Sequence, residues 1–459
     1  MARHYDAIVI GTGQAGPPLA GRLARSGRKV AIIERKLFGG TCVNTGCIPT
    51  KAMVASAYAA RMAQRGSEYG VVIQGGVHVD MKAVKARKDY ISGQSRTGVE
   101  SWLKGMENCS VFEGHARFES AREISVGAER LTAEQIFINV GGRASVRPMP
   151  GIDQIRYLTN SSMMQVDFLP PRLLIIGGGY IGLEFGQMFR RFGSEVTIVE
   201  KGPRLVRQED EDVAAAIQDV LEREGIAIRL NAECIHFSKR GEEIVAGLEC
   251  GDQKAEASGS HVLLAMGRRP NTDDLGLDKA GVKTDERGYI KVDDQLRTNV
   301  EGIWALGDCN GRGAFTHTSY NDFEIAAANI LDHDPRRLSD RIPAYAIYID
   351  PPLGRAGMTA AEARRSGRKA MFGERPMSRV GRAVEKGESQ GFMRILVDAG
   401  TKEILGAAIL GPGGDEAIHC VLDVMYSKSP YTVLQRAVHI HPTVSELIPT
   451  ILGELKPLQ

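Results

Sequence analysis

A chain of 459 residues is too long for a single hydrophobic core, and its length predicts about three compact units. Fifty-eight Lys and Arg against 56 Asp and Glu leave a net charge of +2 with the two signs interleaved, which excludes an extended basic surface for nucleic acid. No apolar run approaches the ~20 residues of a membrane span, and a strand-like run already at Tyr5 to Ile10 leaves no room for an export leader, so a cytoplasmic protein with small-molecule partners is expected.

The first element is a strand, Ile8-Val9-Ile10, that runs into Gly11-Thr12-Gly13-Gln14-Ala15-Gly16, a helical stretch and a second strand, Lys29 to Glu34. This is the spacing of a dinucleotide-binding unit. Glycines let the backbone approach a pyrophosphate at the positive end of the following helix, and the terminal carboxylate of Glu34 accepts hydrogen bonds from a ribose.

Gly39-Gly40-Thr41-Cys42-Val43-Asn44-Thr45-Gly46-Cys47-Ile48-Pro49-Thr50-Lys51 follows directly. Residues five apart on an ideal helix lie about 8 to 9 Å between Cα atoms, whereas a disulfide wants about 4.4 to 6.8 Å. A bridge therefore requires a distorted turn, which Gly46 and Pro49 permit. A permanent disulfide fits poorly with a chain lacking an export signal, and a zinc site would need two further ligands that no Cys-x-x-Cys or His-x-x-x-His pattern supplies. Two thiols beside a nucleotide cofactor suggest electrons moving into a disulfide. The other five cysteines, Cys109, Cys234, Cys250, Cys309 and Cys420, lack metal-like spacing and read as small buried hydrophobes. The stretch from Tyr58 to Ile91 reads as polar, helix-like scaffold.

The first unit recurs 166 residues on: Leu174-Ile175-Ile176-Gly177-Gly178-Gly179-Tyr180-Ile181-Gly182, with Glu195 to Glu200 as its second strand. One Gly-x-Gly-x-x-Gly is often only a turn, but two copies at the same distance from an acid make a second nucleotide site. A carboxylate at Glu200 repels the extra phosphate of NADP and favours NADH, while Lys201 and Arg204 beside it leave NADPH open. Ala265 to Asn271 reads as a strand end and an exit loop back to the first unit. Thr298 to Asp308 is an apolar strand closed by Gly307 and Asp308, the latter placed to meet a ligand. Beyond about residue 341, prolines, short strands such as Phe392 to Val397 and terminal apolar helices predict a separate α+β unit.

On these motifs, together with His441-Pro442-Thr443-Val444-Ser445-Glu446, the chain resembles the class I pyridine nucleotide-disulfide oxidoreductases over its full length. The resemblance implies an α/β fold of two Rossmann-like dinucleotide-binding domains plus a C-terminal α+β dimerisation domain. Residues 1–148 and 271–340 would bind FAD, 149–270 NAD(P)H, and 341–459 would form the interface. Gly11, Gly13, Gly16, Glu34, Lys51 and Asp308 would hold FAD; Gly177, Gly179, Tyr180, Gly182, Glu200 and Gly267 would serve the nicotinamide cofactor, Tyr180 covering its pocket. Cys47 would lie against the flavin and Cys42 would exchange with substrate, with Lys51 paired to Glu184. His441 would be the acid-base catalyst oriented by Glu446, because disulfide exchange needs both a thiolate and a proton for the leaving sulfur. His439, followed by Ile440, reads as structural. The resemblance further implies a homodimer in which His441 completes the partner's site.

Within the family, mercuric reductases carry a C-terminal cysteine pair, which Gly-Glu-Leu-Lys-Pro-Leu-Gln lacks. The segment Ala314 to Ile325 departs from the dihydrolipoamide dehydrogenase and glutathione reductase patterns and resembles the mercuric reductase-like flavoproteins, which include enzymes of hypothiocyanous acid and reactive chlorine resistance. The expected activity is electron transfer from NADH through FAD and the Cys42/Cys47 dithiol to a disulfide or other oxidised sulfur. Alternatives are dihydrolipoamide dehydrogenase, running the relay in reverse, a mercuric or cupric ion reductase, and a flavin-bound redox sensor without turnover. No resident metal is expected.

Overall fold

The internal repeat is reproduced down to single atoms. In the first copy the amide of Gly11 donates to Ile33 O (2.8 Å), and in the second that of Gly177 donates to Val199 O (2.8 Å). Both glycines have positive φ, +104° and +116°, and a Cβ on either would meet a carbonyl, Asn139 O at 2.3 Å or Ala265 O at 2.4 Å. Only glycine fits that turn. Gly16, which starts its helix, and Gly182, in the first turn of its own, lie hard against the glycine turn, where a Cβ would be 2.1 Å from Gly11 O or Gly177 O. These relations come from a computed structural model that describes residues 2–250 and 253–458, apart from the side chains of residues 234, 249, 250, 253 and 254. The side chains of Cys234 and Cys250 thus lie outside what is described.

The first sheet orders Cys109–Glu113, Val30–Glu34, Arg3–Ile10, Glu129–Ile138, Glu123–Val126 and Ala116–Ser120, with Ile303–Ala305 also pairing Glu129–Ile138. Its central strands are parallel and buried on both faces, which explains the unbroken apolar runs. The second sheet orders Ala227–Arg229, Glu195–Val199, Arg172–Ile176, His261–Leu264 and Tyr157–Leu158, all parallel. A three-stranded antiparallel sheet between residues 232 and 259 flanks it. The C-terminal unit is a six-stranded antiparallel sheet, Ala344–Ile347, Leu353–Gly357, Ile404–Leu410, Phe392–Asp398, Ala370–Pro376 and Lys456–Pro457, covered by helices such as Gly414–Tyr426. Two Rossmann-like domains and a C-terminal α+β domain are therefore the fold.

Three expectations are refined. The segment after Leu264 is no plain loop: Arg268–Pro270 pairs antiparallel with Gly142–Ala144, so the outgoing and returning connections between the two nucleotide-binding domains brace one another. The stretch from 58 to 91 is not continuous helix; Cys47–Gln64 and Met81–Lys104 are separated by a short 3₁₀ turn and extended residues around Gly75 and Gly76, both at positive φ. The chain also ends in a strand, Lys456–Pro457, after its last helix.

One helix, Tyr180–Phe192, links all three units. Residues 180, 184, 187 and 191 share a face at helical spacing. Glu184 meets Lys51 and Tyr348, Gln187 exchanges hydrogen bonds with the backbone of Asp350, and Arg191 pairs with Glu224 and Asp350. The rest of the helix buries Leu183 and Met188 on its flanks and Phe185 and Phe189 on its far side in a core cluster, each worth about 1.5–3 kcal/mol on transfer from water.

Candidate active site

The dithiol sits across a helix break. Gly40–Asn44 is one short helix and Cys47–Gln64 the next, with Thr45 and Gly46 between them. A Cβ on Gly46 would lie 2.8 Å from Thr41 O and 3.3 Å from Cys42 Cα, so the absence of a side chain lets the turn fold tightly enough to bring the cysteines together. Pro49, in the first helical turn, occupies a place where its missing N–H is no loss.

Both thiols are free, and they share a hydrogen bond with Cys42 as donor. That bond lowers the Cys47 pKa to about 6, helped by Thr316 and the Lys51 charge against burial and Glu184. The same bond, with burial, pushes Cys42 upward. Thr316 Oγ1 stands 3.1 Å from Cys47 Sγ. Lys51 Nζ lies 2.6 Å from Glu184 Oε2 and 4.3 Å from the centre of the Tyr348 ring, while the amide of Tyr348 donates to Glu184 Oε1 (3.0 Å).

A cavity of about 910 Å³ gathers these groups. It runs from Glu34 and Arg35, past Gly11, Gly13, Gly39 and Gly40, to Cys42, Cys47, Lys51, Tyr180, Glu184 and Asp308. The two glycine loops abut so closely that a Cβ on Gly40 would be 2.9 Å from Gly13 Cα, leaving a bare backbone lining suited to a pyrophosphate. Glu34 Oε2 accepts from the Thr12 amide (3.1 Å) and hydroxyl (2.6 Å), and Oε1 from the Lys36 amide (2.9 Å), so the carboxylate is held at the cavity's nucleotide end. Asp308 Oδ2 lies 3.3 Å from Arg268, and burial raises its pKa. This lining fits FAD: an acid at the ribose end, glycine turns at the middle, and the thiol with its lysine at the redox end.

Gly16 lies outside that lining and opens its helix, where its amide donates to Asn139 Oδ1 (3.0 Å). Gly177, Gly179, Gly182, Glu200 and Gly267 also lie outside it, at the second sheet; Glu200 accepts from the Gly178 (2.6 Å) and Gly202 (2.7 Å) amides. His441 Nδ1 is 2.8 Å from Glu446 Oε2, and neither lines the cavity. His439 Nδ1 is 2.7 Å from Ser445 O. Sequence reasoning missed Thr316, Tyr348, Phe315, Tyr345 and Asn139. The departure of Ala314 to Ile325 from the usual pattern was the one signal for Phe315 and Thr316.

The sequence profile of the pyridine nucleotide-disulphide oxidoreductases matches residues 5–322, and that of the pyridine nucleotide-disulphide oxidoreductase dimerisation domain matches residues 343–451. The chain belongs to the class I pyridine nucleotide-disulfide oxidoreductases, and it is an NAD(P)H-dependent flavoprotein disulfide oxidoreductase that uses FAD and a nicotinamide cofactor. It is 34% identical to the probable pyridine nucleotide-disulfide oxidoreductase RclA of Escherichia coli, covering 98% of this chain and 99% of that protein. It is likewise 34% identical to a dihydrolipoyl dehydrogenase of Thermus scotoductus, over 96% of this chain and 95% of that protein. Among solved structures, a Cu(II) complex of the HOCl-induced flavoprotein disulfide reductase RclA from Escherichia coli superposes with a TM-score of 0.90 at 33% identity, over 99% of this chain and 100% of that one.

Proposed function

We propose that the protein carries electrons from NADH through FAD and the Cys42/Cys47 dithiol to a disulfide or another oxidised sulfur acceptor. The observation that carries this reading is the pair of free thiols, Cys42 and Cys47, facing the same cavity as the Lys51–Glu184 pair, with Thr316 Oγ1 3.1 Å from Cys47 Sγ. Bound FAD would supply the step that turns a hydride from the nicotinamide into an electron pair for sulfur.

The residues divide the remaining work. Lys51, held by Glu184, places a positive charge by the Cys47 sulfur and adds to the larger effects of Cys42 and Thr316 in favouring its ionised form. Cys42 is the nucleophile toward the acceptor. Its thiolate attacks one sulfur of an acceptor disulfide, the other sulfur leaves as a thiol once protonated, and Cys47 then displaces the second thiol as the Cys42–Cys47 bond forms. Two electrons and two protons pass to the acceptor. Cys42 needs a base to ionise and the leaving sulfur needs an acid, and His441 with its carboxylate has that chemistry.

His441 is 81% exposed, on a segment where Val438 and Ile440 are 98% and 78% exposed, so it is offered outward to a second copy. A homodimer with two shared sites satisfies both the isolated histidine and the exposed apolar pair. Glu200, with both oxygens held by backbone amides, supports NADH over NADPH.

The relation to a dihydrolipoyl dehydrogenase favours one second reading, the same relay run from a dithiol to NAD. An anaerobic NADH titration followed by an acceptor panel separates the readings. A long-wavelength thiolate-to-flavin absorption, absent in Cys47→Ser, is expected, and the acceptor with the highest kcat/KM among lipoamide, oxidised glutathione, hypothiocyanite, mercuric and cupric ions names the substrate. Bleaching of the flavin without that absorption overturns the relay, and negligible turnover with every acceptor leaves a redox sensor.

A further inference from the structure

Phe315 touches both halves of the proposed relay. Its ring stacks on Tyr345 (centroids 5.6 Å apart, 8° between planes) and on His317 (5.5 Å, 8°), and meets the Tyr180 ring at 5.7 Å and 43°. Tyr180, which lines the cavity, is the residue that the family resemblance sets over the nicotinamide pocket. The next residue, Thr316, opens the helix Thr316–Ala327 with its hydroxyl 3.1 Å from Cys47 Sγ. The backbone between them is fixed, because the Phe315 amide donates to Thr318 Oγ1 (3.1 Å) and that hydroxyl donates to Phe315 O (2.8 Å).

The stack is anchored from a distance. Tyr345 and Arg355 are cross-strand partners, and both bind the fully buried carboxylate of Glu209, which belongs to the second dinucleotide-binding domain. Arg355 Nε donates to Glu209 Oε2 at 3.1 Å. A buried ion pair of this kind tolerates little displacement, since either charge left alone would be costly. Tyr345 is thus held by its phenol, and its ring presents a fixed plane to Phe315.

We propose that Phe315 is a positioning residue that couples the nicotinamide lid Tyr180 to the Cys47 sulfur, by resting Tyr180 on one edge and pinning the Thr316 hydroxyl on the sulfur, with the Glu209–Arg355–Tyr345 cluster as its fixed support. This rests on the dithiol relay proposed above. The other groups that face Cys47 are Cys42 and Lys51 on its own strand of chain, Glu184 and Tyr180 on Tyr180–Phe192, and Tyr348 beside Lys51. None of them is altered in the variants that follow.

The test uses the flavin-loaded enzyme, reduced by two electrons, and reads the pH midpoint of the thiolate-to-flavin absorption together with the pH dependence of iodoacetamide labelling at Cys47. Thr316→Val should raise both midpoints by about one pH unit, the size of one lost hydrogen bond to a charge, and Thr316→Ser should restore them. Phe315→Leu keeps the hydroxyl yet should raise the midpoints in the same direction and slow flavin reduction by NADH several-fold. Tyr345→Phe keeps the ring stack but frees it from Glu209, and should give a smaller rise. The proposal is overturned if Phe315→Leu and Tyr345→Phe keep the wild-type midpoints, even where Thr316→Val shifts them, because Thr316 would then act without its neighbour. Should Phe315→Leu fail to load flavin, Phe315→Met and Tyr345→Phe decide the matter by the same midpoints. Loss of the absorption in Cys47→Ser tests the relay separately, so the two ideas fail in different experiments.

Discussion

His441 Nδ1 lies 2.8 Å from Glu446 Oε2, an oriented acid-base pair with 81% of the imidazole side chain exposed and no part in the cavity that holds Cys42 and Cys47. On the proposed reading, this pair serves the dithiol of a second copy of the chain. His441→Ala should cut turnover with the sulfur acceptor by 10²–10⁴-fold, the usual contribution of a positioned acid-base group, and leave flavin reduction by NADH unchanged. Mixed dimers of His441→Ala and Cys42→Ser chains should regain one working site, measurable as recovered turnover on co-refolding. Two inactive parents giving inactive mixtures would rule out the shared site.

Lys51 and Glu184 push the Cys47 thiol in opposite directions, the lysine downward and the carboxylate upward. Lys51→Gln should therefore raise the midpoint of the thiolate absorption above about 6, and Glu184→Gln should lower it below that value. A pH titration of each reduced variant between pH 5 and 9 reads the sign directly. Shifts of the same sign in both would show that packing rather than charge controls the thiol.

The pH dependence of the wild-type enzyme follows from the same group. A thiol held at about 6 is mostly ionised above that pH and mostly protonated below it, so the thiolate absorption should be half lost near pH 6 and essentially complete by about pH 8. A midpoint near 9, the ordinary thiol value, would mean that Cys42 gives Cys47 no hydrogen bond in solution.

Arg355 and Glu209 are each almost wholly buried and joined by two donors of one guanidinium. Arg355→Met should destabilise the chain by about 3–5 kcal/mol through the stranded carboxylate, and adding Glu209→Leu should recover much of the loss. Denaturant midpoints of the single and double variants provide the comparison. A double variant weaker than Arg355→Met would show that Glu209 is needed for something other than the pair, such as Tyr345.

Gly46→Ala should separate the two thiols, because the added methyl needs the space between Thr41 O and Cys42 Cα. The expected result is a protein that still loads FAD but forms the Cys42–Cys47 bond at least tenfold more slowly on oxidation, scored by thiol titration against time. An unchanged rate would mean that the turn relaxes at little cost.

Much of the fold was legible because its signals are local. A strand, a glycine turn, a helix and a terminal acid occupy contiguous residues, and glycine at positions 11 and 177 is demanded by a carbonyl 2.3 or 2.4 Å from where a Cβ would stand. The dithiol is equally local, five residues across one break.

What the sequence by itself determined, then, was the pair of nucleotide-binding units, the dithiol and the family to which both belong. Only the tertiary structure decided what surrounds the sulfur. Lys51 meets Glu184 across 133 positions of sequence, Cys47 meets Thr316 across 269, and Tyr345 meets Glu209 across 136. Such contacts leave no periodic trace in the chain, because a side-chain hydrogen bond depends on how three separately folded units dock. The helix Tyr180–Phe192 contacts both other units, and through Glu184 it holds the lysine that faces Cys47.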